Sequence, residues 1–268
     1  MKDRIRISVT LRPEIVNLLD SKIDGVQLRN RSHAIEQFLK QTLVTPISQA
    51  VILAGDQEKS LIEIGGKPVI EIMIKQLRRA SIKRIVICTN KDAAKLTKFL
   101  SKKKFEDLEI IFANNAEKGT GFALSAARHH LKPENFLLLY GDVLAEIDVL
   151  DLVDFHQSHG GLATMAITSV PDPLPWGVVK LKRNRIVNFL EKPPKEARLT
   201  NLINAGAYVF QPEVFAYVVP ETKSLEKEIF PLLASKNKLH AYLLDGLWFD
   251  IGMDDLLKLA QKYWGEKQ

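Results

Sequence analysis

The groups best suited to chemistry are a carboxylate and a lysine, each following a strand-like run. Asp142 comes after Phe136-Leu-Leu-Leu-Tyr and one glycine, and Lys192 lies in Glu191-Lys192-Pro193. An acidic residue at the carboxyl end of a central strand faces the ligand crevice of an open α/β sheet. A lysine ammonium is a compact point charge that suits phosphate. Taken alone, Asp142 is more typical of a turn that ends a strand, and Glu191-Lys192-Pro193 of a polar hairpin exit.

Residues 50–70 have the pattern of a strand, a glycine turn and a helix. The apolar run 50–54 predicts a strand that is buried on both faces, and Gly55 lets the backbone turn tightly beneath a ligand. A helical pattern begins at Lys67-Pro68, after two further glycines. From residue 50 onward strands and helices alternate, which predicts an α/β fold with a mostly parallel, Rossmann-like sheet.

This stretch resembles the opening of the sugar-phosphate nucleotidyltransferases, which make nucleotide-sugars from a nucleoside triphosphate and a sugar 1-phosphate. That opening reads roughly L-A-[AG]-G-x-G-T-R-L, a gap, and P-K-P-L-[LV]-P-[VI]-x-[GN]-K-P. Leu53, Ala54 and Gly55 match its start, and residues 59–68 match its end. The G-x-G-T-R loop is missing, because Asp56-Gln57-Glu58 stands in its place. The resemblance implies a GT-A-like fold and nucleotide contacts at the three matching residues.

Further motifs extend the resemblance along the chain. Gly119 and Thr120 match a Gly-Thr that lies against the nucleotide base in the family, although Thr120 also suits a helix cap. In a segment resembling [GR]-[RK]-[IV]-x-x-[FI]-x-E-K-P, Glu191 would bind sugar hydroxyls and Lys192 the sugar phosphate. Trp176 replaces a smaller aromatic residue of another family motif. The resemblance to an N-A-G-x-Y-x-F strand implies that three residues line the sugar site: Asn204, Ala205 and Gly206.

The same resemblance implies a magnesium site. In the family the aspartate at the position of Asp142 binds Mg²⁺, and Asp250 occupies the second metal position, in a G-x-W-x-D-[IV]-G motif. Carboxylates so far apart in sequence could converge on one ion, although their spacing does not show that they do. Lys59 matches the P-K-P lysine, and Lys59 and Lys192 are the expected catalytic cations. Ser224-Leu-Glu-Lys-Glu also matches the family, and we expect it to serve packing.

The first 45 residues have a separate pattern. Ile5, Ile7, Val9 and Leu11 alternate with polar residues, which predicts a strand with one apolar face. Two helical patterns follow, the second with Asn30 as its N-cap. This order resembles the ribbon-helix-helix DNA-binding domain, in which two chains pair their strands. A second chain is needed because one strand and two short helices bury too little surface to be stable.

The ribbon-helix-helix resemblance implies a homodimer that binds double-stranded DNA. Arg4, Arg6 and Ser8 would read base edges in the major groove, where arginine pairs bidentately with guanine. Three residues would meet phosphate at the start of the second helix: Asn30, Arg31 and Ser32. The alternative is an ordinary edge strand whose arginines are merely solvated.

Length and composition limit the class of protein and its domain organisation. The chain has 268 residues, a formal net charge of +6 and one cysteine, Cys88. A single cysteine excludes an intrachain disulfide framework and fits a reducing, cytoplasmic location. We see neither a signal peptide nor a membrane-spanning apolar run. We expect a ribbon-helix-helix domain over residues 1–45 and a nucleotidyltransferase-like domain over residues 49–268.

The missing loop decides the functional hypothesis. In the family it contacts the phosphates that leave as pyrophosphate, and losing even one preorganised donor can cost about a hundredfold in rate. We therefore predict a DNA-binding transcriptional regulator whose large domain binds a nucleotide-sugar or sugar phosphate as effector. The alternative is an active sugar-1-phosphate nucleotidyltransferase that also binds DNA. A third possibility is a scaffold that only aids dimerisation.

Overall fold

The structure, a computed structural model, describes residues 7–25, 28–43, 47–90, 93–103, 105–114, 118–197 and 200–265. The chain divides into two compact units, Met1–Thr45 and Pro46–Gln268. The predicted base-reading residues Arg4 and Arg6 lie outside the described residues. None of the described helices is long and apolar enough to cross a bilayer.

The described part of the small unit contains two helices, α1 (Pro13–Asp20) and α2 (Arg31–Leu43). The predicted capping role of Asn30 is confirmed, because its Oδ1 accepts a hydrogen bond of 2.9 Å from the backbone N–H of His33. Residues 7–12, the described part of the predicted strand, form no strand in the single chain. Ile7 and Val9 are 68% and 65% exposed, so the apolar face that their spacing predicts is uncovered.

The large unit is built from strands and helices that alternate in its first half. The strands are β1 (Gln49–Leu53), β2 (Glu63–Ile64), β3 (Lys67–Pro68), β4 (Arg84–Thr89), β5 (Glu109–Asn114), β6 (Phe136–Tyr140), β7 (Val143–Ala145), β8 (Ala163–Ser169), β9 (Gly177–Lys182), β10 (Arg185–Glu191), β11 (Leu202–Phe210), β12 (Leu239–Leu243) and β13 (Trp248–Asp250). The helices are α3 (Gln57–Ser60), α4 (Val69–Arg79), α5 (Ala94–Ser101), α6 (Thr120–Ala127), α7 (Val149–His159), α8 (Phe230–Ser235) and α9 (Asp254–Gly265). A π-helical turn, Leu225–Ile229, leads into α8.

Nine of the described strands form one sheet in the order β5-β4-β1-β6-β11-β8-β12-β10-β9. The first four are parallel, which confirms the predicted α/β arrangement for that half. The prediction of a mostly parallel sheet is wrong for the other half, where β11 runs antiparallel to β6 and β8. Strands β8 to β11 follow one another without an intervening α-helix, and a parallel neighbour requires a long crossover connection.

The core lies between the sheet and its covering helices. Strand β1 is buried over residues 49–52, as expected for a central strand with both faces covered. Helix α4 packs an apolar stripe that includes Ile70, Ile74 and Leu77, each fully buried. The helix begins at Val69 rather than at the predicted Lys67, because Lys67-Pro68 pairs with β2 as a short strand.

Candidate active site

The carboxyl ends of β1 and β6 border a cavity of about 720 Å³. The two strands are parallel neighbours with Leu53 opposite Tyr140, so the segments that follow them meet at one edge of the sheet. The residues predicted to contact nucleotide or metal that line it are Leu53, Gly55, Gly119, Thr120 and Asp142. Ala54 instead is 2% exposed, and its N–H donates to the carbonyl of Cys88. The structure therefore brings most of the predicted nucleotide residues together.

The shortened loop folds as one capped helical turn. Asp56 accepts hydrogen bonds from the backbone N–H groups of Glu58 and Lys59, which starts α3. The side-chain amide of Asn90 donates to the carbonyl of Gly55 over 2.6 Å and holds the turn against the end of β4. The turn directs Lys59 toward Asp142, with Nζ 3.5 Å from Oδ2.

Asp142 and Asp250 converge although 108 positions separate them, the difference between their residue numbers. Strand β13 pairs antiparallel with β7, which places Asp250 opposite Val143, and the N–H of Ile251 donates to the carbonyl of Asp142. Burial raises the pKa of Asp142, and the charge of Asp250 raises it further, whereas Lys59 opposes both effects. The sheet pairing thus holds two carboxylates close enough to repel each other.

The chemistry of this pair fits a magnesium ion. Both groups offer hard oxygen ligands, and a cation between Asp142 and Asp250 would relieve the repulsion that raises the pKa of Asp142. Within the described ranges, no three or more His, Cys, Asp or Glu side chains form a metal-binding cluster. Mg²⁺ needs only one or two protein carboxylates when phosphates and water complete its shell.

Trp176 connects Asp250, a predicted metal ligand, with the predicted sugar-phosphate residue Lys192. Its indole Nε1 donates a 2.8 Å hydrogen bond to Oδ2 of Asp250, and its backbone carbonyl accepts a 3.1 Å bond from the N–H of Lys192. The ring also packs edge to face against Trp248, with centroids 5.4 Å apart. The sequence marked Trp176 only as a replacement for a smaller aromatic residue, and this contact with Asp250 was not predicted.

The Gly-Thr segment starts α6 in close contact with residues 222–226. Gly119 has φ 148°, and a Cβ there would lie 2.2 Å from the carbonyl oxygen of Lys223, so a side chain would not fit. The cap alternative for Thr120 is not what the structure shows, because Gly119 occupies the N-cap position. The Thr120 hydroxyl instead donates 2.7 Å to Glu226 Oε2 and accepts from the N–H of Leu225.

Asn204, Ala205 and Gly206 lie together in β11, beside a register shift between Asn204 and Tyr208. The side-chain oxygen of Asn204 accepts bonds from the N–H of Gly206 at 3.0 Å and the hydroxyl of Tyr208 at 2.7 Å. Gly206 has φ 72°, a conformation that favours glycine. The carbonyl of Ala205 accepts a bond from the indole of Trp248.

Glu191 is the last residue of β10, and Lys192 follows it. Burial raises the pKa of Glu191, with a further contribution from the charge of Glu226, while Lys192 and Lys227 lower it. Lys192 is exposed and has a positive φ of 47°, which is uncommon for a residue with a side chain. The hydrogen bond from its N–H to the carbonyl of Trp176 holds this conformation.

Sequence reasoning missed Tyr140, Ser224 and Glu226. Tyr140 lines the cavity, and its hydroxyl donates to Glu226 Oε1, while the Ser224 hydroxyl donates 2.7 Å to Oε2 of the same carboxylate. The expectation that Ser224-Leu-Glu-Lys-Glu serves packing is thus incomplete, although Leu225 is fully buried. A signal was present, because a serine and a glutamate two residues apart both match the family pattern.

The residues predicted to bind DNA have different partners and exposure in the structure. Arg31 forms a two-point ion pair with Asp20, through Nε at 2.7 Å and Nη2 at 2.6 Å. The Asn30 side chain caps α2, and Ser8 and Ser32 are exposed. Arg31 and Asn30 are therefore engaged within the small unit.

The chain is similar in sequence to mannose-1-phosphate guanylyltransferases. It is 36% identical over 201 residues to mannose-1-phosphate guanyltransferase of Saccharomyces cerevisiae, covering 72% of this chain and 55% of the relative. It is 34% identical over 199 residues to the catalytic subunit beta of mannose-1-phosphate guanylyltransferase from Drosophila pseudoobscura pseudoobscura, covering 72% and 53%. The chain thus spans about half the length of these relatives.

Solved structures share the fold at lower sequence identity. UDP-glucose pyrophosphorylase complexed with UDP-glucose matches with a TM-score of 0.72 and 20% identity, over 83% of this chain and all of that one. UDP-glucose pyrophosphorylase from Acinetobacter baumanii matches with a TM-score of 0.69 and 21% identity, over 83% and 94%. At this level of identity, the likeness shows the α/β fold of the large unit.

The comparisons correct the functional hypothesis. The prediction of a DNA-binding regulator with a sensor domain is wrong, because relatives about 35% identical over most of the chain are guanylyltransferases. Nothing in the comparisons supports a ribbon-helix-helix domain, DNA binding or transcription regulation. The alternative, a sugar-phosphate nucleotidyltransferase, agrees better with these relatives.

The family itself follows from the extent of the match. The family model described as nucleotidyl transferase matches residues 51–265, which includes the cavity, both predicted metal ligands and the predicted sugar residues. Residues 1–50 lie outside the match. The chain belongs to the nucleotidyl transferase family.

Proposed function

We propose that the large unit transfers a nucleotidyl group from a nucleoside triphosphate to a sugar 1-phosphate and releases pyrophosphate. The observation that carries this proposal is the convergence of Asp142, Asp250 and Lys59 at the rim of the nucleotide cavity. Trp176 extends the cluster to Lys192, which would hold the sugar phosphate. Burial and the charge of Asp250 both raise the pKa of Asp142, so a bound cation would stabilise the carboxylate pair.

The relatives suggest the substrates. Because several are named mannose-1-phosphate guanylyltransferases, GTP and mannose 1-phosphate are the first pair to test. Lys192 would bind the phosphate of the sugar, and Glu191 with Asn204 would accept or donate hydrogen bonds to its hydroxyls. Gly119 and Thr120 line the cavity and would contact the base.

The reaction is an in-line displacement at the α-phosphorus. A sugar-phosphate oxygen forms the new P–O bond while the bond to the β-phosphate oxygen breaks, and pyrophosphate leaves. Such catalysis depends mainly on positioning and charge neutralisation. Magnesium, held by Asp142 and Asp250, would neutralise phosphate oxygens. Lys59 lies beside Asp142 and would stabilise negative charge on the transferred group.

The short α3 turn is the unusual part of this site. It presents Asp56 and Glu58 at the cavity, where a longer loop would otherwise supply donors to the leaving group. Glu58 pairs with Lys95 at 2.5 Å, which offsets part of its charge. Lys118 also lines the cavity. We expect turnover to be slow relative to enzymes with the full loop, by about a hundredfold for each missing donor.

The test is an assay of the purified full chain with GTP, mannose 1-phosphate and Mg²⁺, in which released pyrophosphate is measured after hydrolysis by pyrophosphatase. A nucleotide-sugar product, identified by mass spectrometry and lost in the Asp250→Asn variant, supports the proposal. Other triphosphates and sugar 1-phosphates extend the panel. No nucleotide-sugar from any pair, with protein that is folded by circular dichroism, would overturn it.

We infer in addition that the small unit associates with a second copy of itself. In its described part only two apolar side chains are buried, Leu19 and Ala34, whereas Ile7, Val9 and Leu18 are more than half exposed. So small a core does not stabilise an independent domain of this size. A second chain could cover the face because an antiparallel pair of identical extended segments satisfies the backbone of both.

Sedimentation velocity of the full chain tests this association. We expect a dimer for the wild type, a monomer for the double variant Ile7→Asp, Val9→Asp, and a dimer for the control Ser8→Asp. Ser8 alternates with the two apolar residues, so its charge would point away from the paired face. A monomeric wild type at micromolar concentration would contradict the inference.

A further inference from the structure

Two groups of hydrogen-bonded side chains, one at the nucleotide cavity and one at the predicted sugar site, meet in the protein interior. At the cavity end, the hydroxyl of Thr120 donates to Glu226 Oε2 over 2.7 Å, and the hydroxyl of Tyr140 donates to Oε1 of the same carboxylate. At the sugar end, the hydroxyl of Tyr208 donates to Asn204 Oδ1 over 2.7 Å. These five side chains come from α6, the π-helical turn, β6 and β11, and they span the two halves of the sheet.

Tyr140 and Tyr208 form the middle of this connection. Their rings pack with centroids 5.4 Å apart and an angle of 52° between planes, while each hydroxyl donates to a different acceptor, Tyr140 to Glu226 and Tyr208 to Asn204. Burial raises the pKa of both phenols well above the usual value, with the charge of Glu226 as a further cause. Both therefore stay protonated and act as donors. Tyr208 has no exposed surface, so water cannot replace its contacts.

Glu226 differs from the other acidic groups of the site in its partners. Its carboxylate accepts hydrogen bonds from three hydroxyls, those of Thr120, Tyr140 and Ser224. It lies on a π-helical turn, a conformation that is rare and frequent at functional sites. Its negative charge also reaches Glu191 and raises the pKa of that predicted sugar ligand. One carboxylate thus contacts the nucleotide segment directly and acts on the sugar site electrostatically.

We propose that Glu226 is a positioning residue which, through Tyr140 and Tyr208, couples occupation of the nucleotide cavity to the affinity of the sugar-phosphate site. The inference rests on the proposed function. A nucleotide that contacts Thr120 fixes the hydroxyl on one side of Glu226, and the hydroxyl of Tyr140 donates to the other side. The Tyr140 ring packs on Tyr208, whose hydroxyl holds Asn204, and this contact transmits the constraint. Coupling of this kind is reciprocal, because each ligand changes the affinity of the other by the same factor.

The experiment measures two dissociation constants by isothermal titration calorimetry on the full chain. Mannose 1-phosphate is titrated with and without a saturating, non-reactive guanosine triphosphate that carries an α,β-methylene bridge, in the presence of Mg²⁺. We expect the analogue to tighten sugar-phosphate binding about tenfold in the wild type, within the usual range of such coupling. In Tyr140→Phe the ratio should fall to about one, and this ratio is compared with that of the wild type whatever the affinity for each ligand alone.

Matched variants separate coupling from general destabilisation. Tyr208→Phe and Glu226→Gln should also lose the ratio, whereas Tyr217→Phe should keep it, because the Tyr217 hydroxyl pairs with Lys238 outside this network. If Glu226→Gln does not fold, the ratio measured for Tyr140→Phe decides the test. An unchanged ratio in Tyr140→Phe, with both ligands bound, would overturn the coupling alone. A wild type that binds neither ligand would overturn the proposed function and the coupling together.

Discussion

The parallel and mixed halves of the large sheet place their candidate ligand groups in different ways. In the parallel half, Gly55 and Asp142 follow strands, and Thr120 begins a helix. In the mixed half, Asn204 lies inside β11 and is 8% exposed, beside a register shift in the pairing with β8. Strand ends suffice to gather groups at the edge of a parallel sheet, whereas an antiparallel strand needs a local irregularity to turn its groups toward a ligand.

We expect the two halves to have different roles in the proposed reaction. The nucleotide cavity has four charged lining residues, Asp56, Glu58, Lys118 and Asp142. Under the proposed function the parallel half would bind the phosphates, which change during the reaction. The groups of the mixed half are mainly hydrogen-bonding groups that would recognise the sugar, with Lys192 at the boundary. Changes in the first half should therefore lower kcat, and changes in the second should raise KM for the sugar phosphate.

The largest effect is expected for Asp142→Asn in the parallel half. The variant removes one of two carboxylates that would hold the metal, and kcat/KM should fall about a thousandfold, as for a preorganised electrostatic group. Asp255→Asn is the control, because its side chain is 97% exposed in α9. Initial rates at saturating Mg²⁺ measure the effect. A loss below about tenfold would show that Asp142 does not hold the metal.

Lys192→Ala tests whether the two halves of the sheet bind different substrates. Loss of a charge-assisted contact to phosphate should raise KM for the sugar phosphate roughly thirtyfold and change KM for the triphosphate little. Lys195→Ala, at a nearby exposed lysine, serves as the control. If KM for the triphosphate rose instead, Lys192 would belong to the nucleotide half, and the proposed division would be wrong.

Trp176→Phe tests the connection between the halves. Phenylalanine keeps an aromatic ring but cannot donate the bond that the indole makes to Asp250. We expect about a tenfold loss of activity, together with a higher Mg²⁺ requirement, as is usual when a partner of a metal ligand is removed. Trp264→Phe, in α9, should leave the Mg²⁺ dependence unchanged. A normal Mg²⁺ titration for Trp176→Phe would show that the indole does not orient Asp250.

The smallest effect concerns acid stability of the mixed half. His156 is 1% exposed, and burial, aided by the charge of His240, lowers its pKa to about 4. The unfolded chain binds this proton first, so the free energy of unfolding should fall as the pH drops below 6.5. From pH 7.5 to 5.8 the loss from this group is roughly 1 kcal/mol.

Urea unfolding at several pH values measures this loss. His156→Gln should show a shallower pH dependence than the wild type, whereas His129→Gln, at an exposed position, should follow the wild type. Burial also lowers the pKa of His240, which adds to the slope in every variant that retains it. Parallel curves for the wild type and His156→Gln would show that His156 is not the group responsible.

Much of the parallel half could be predicted from the sequence. The apolar run before Gly55 forms β1, and the run before Asp142 forms β6. In the small unit, Asn30 caps α2, as its residue type suggested. These signals are local, because strand burial, glycine turns and helix caps depend on neighbouring residues. The mixed topology escaped prediction, since strand order depends on contacts between segments far apart in sequence. The role of the first 45 residues was overstated, because a local β-α-α pattern does not specify a ligand.

The sequence by itself determined which groups are available: the acidic residues after apolar runs, the lysines beside them, and the short turn in place of a loop. Only the tertiary structure decided which of them meet. The β7–β13 pairing sets Asp250 beside Asp142, the indole of Trp176 reaches Asp250 from 74 positions away, and the hydroxyl of Tyr140 reaches Glu226 from 86 positions away. Such contacts depend on chain closure over long loops and on side-chain packing, and neither leaves a periodic trace in the sequence.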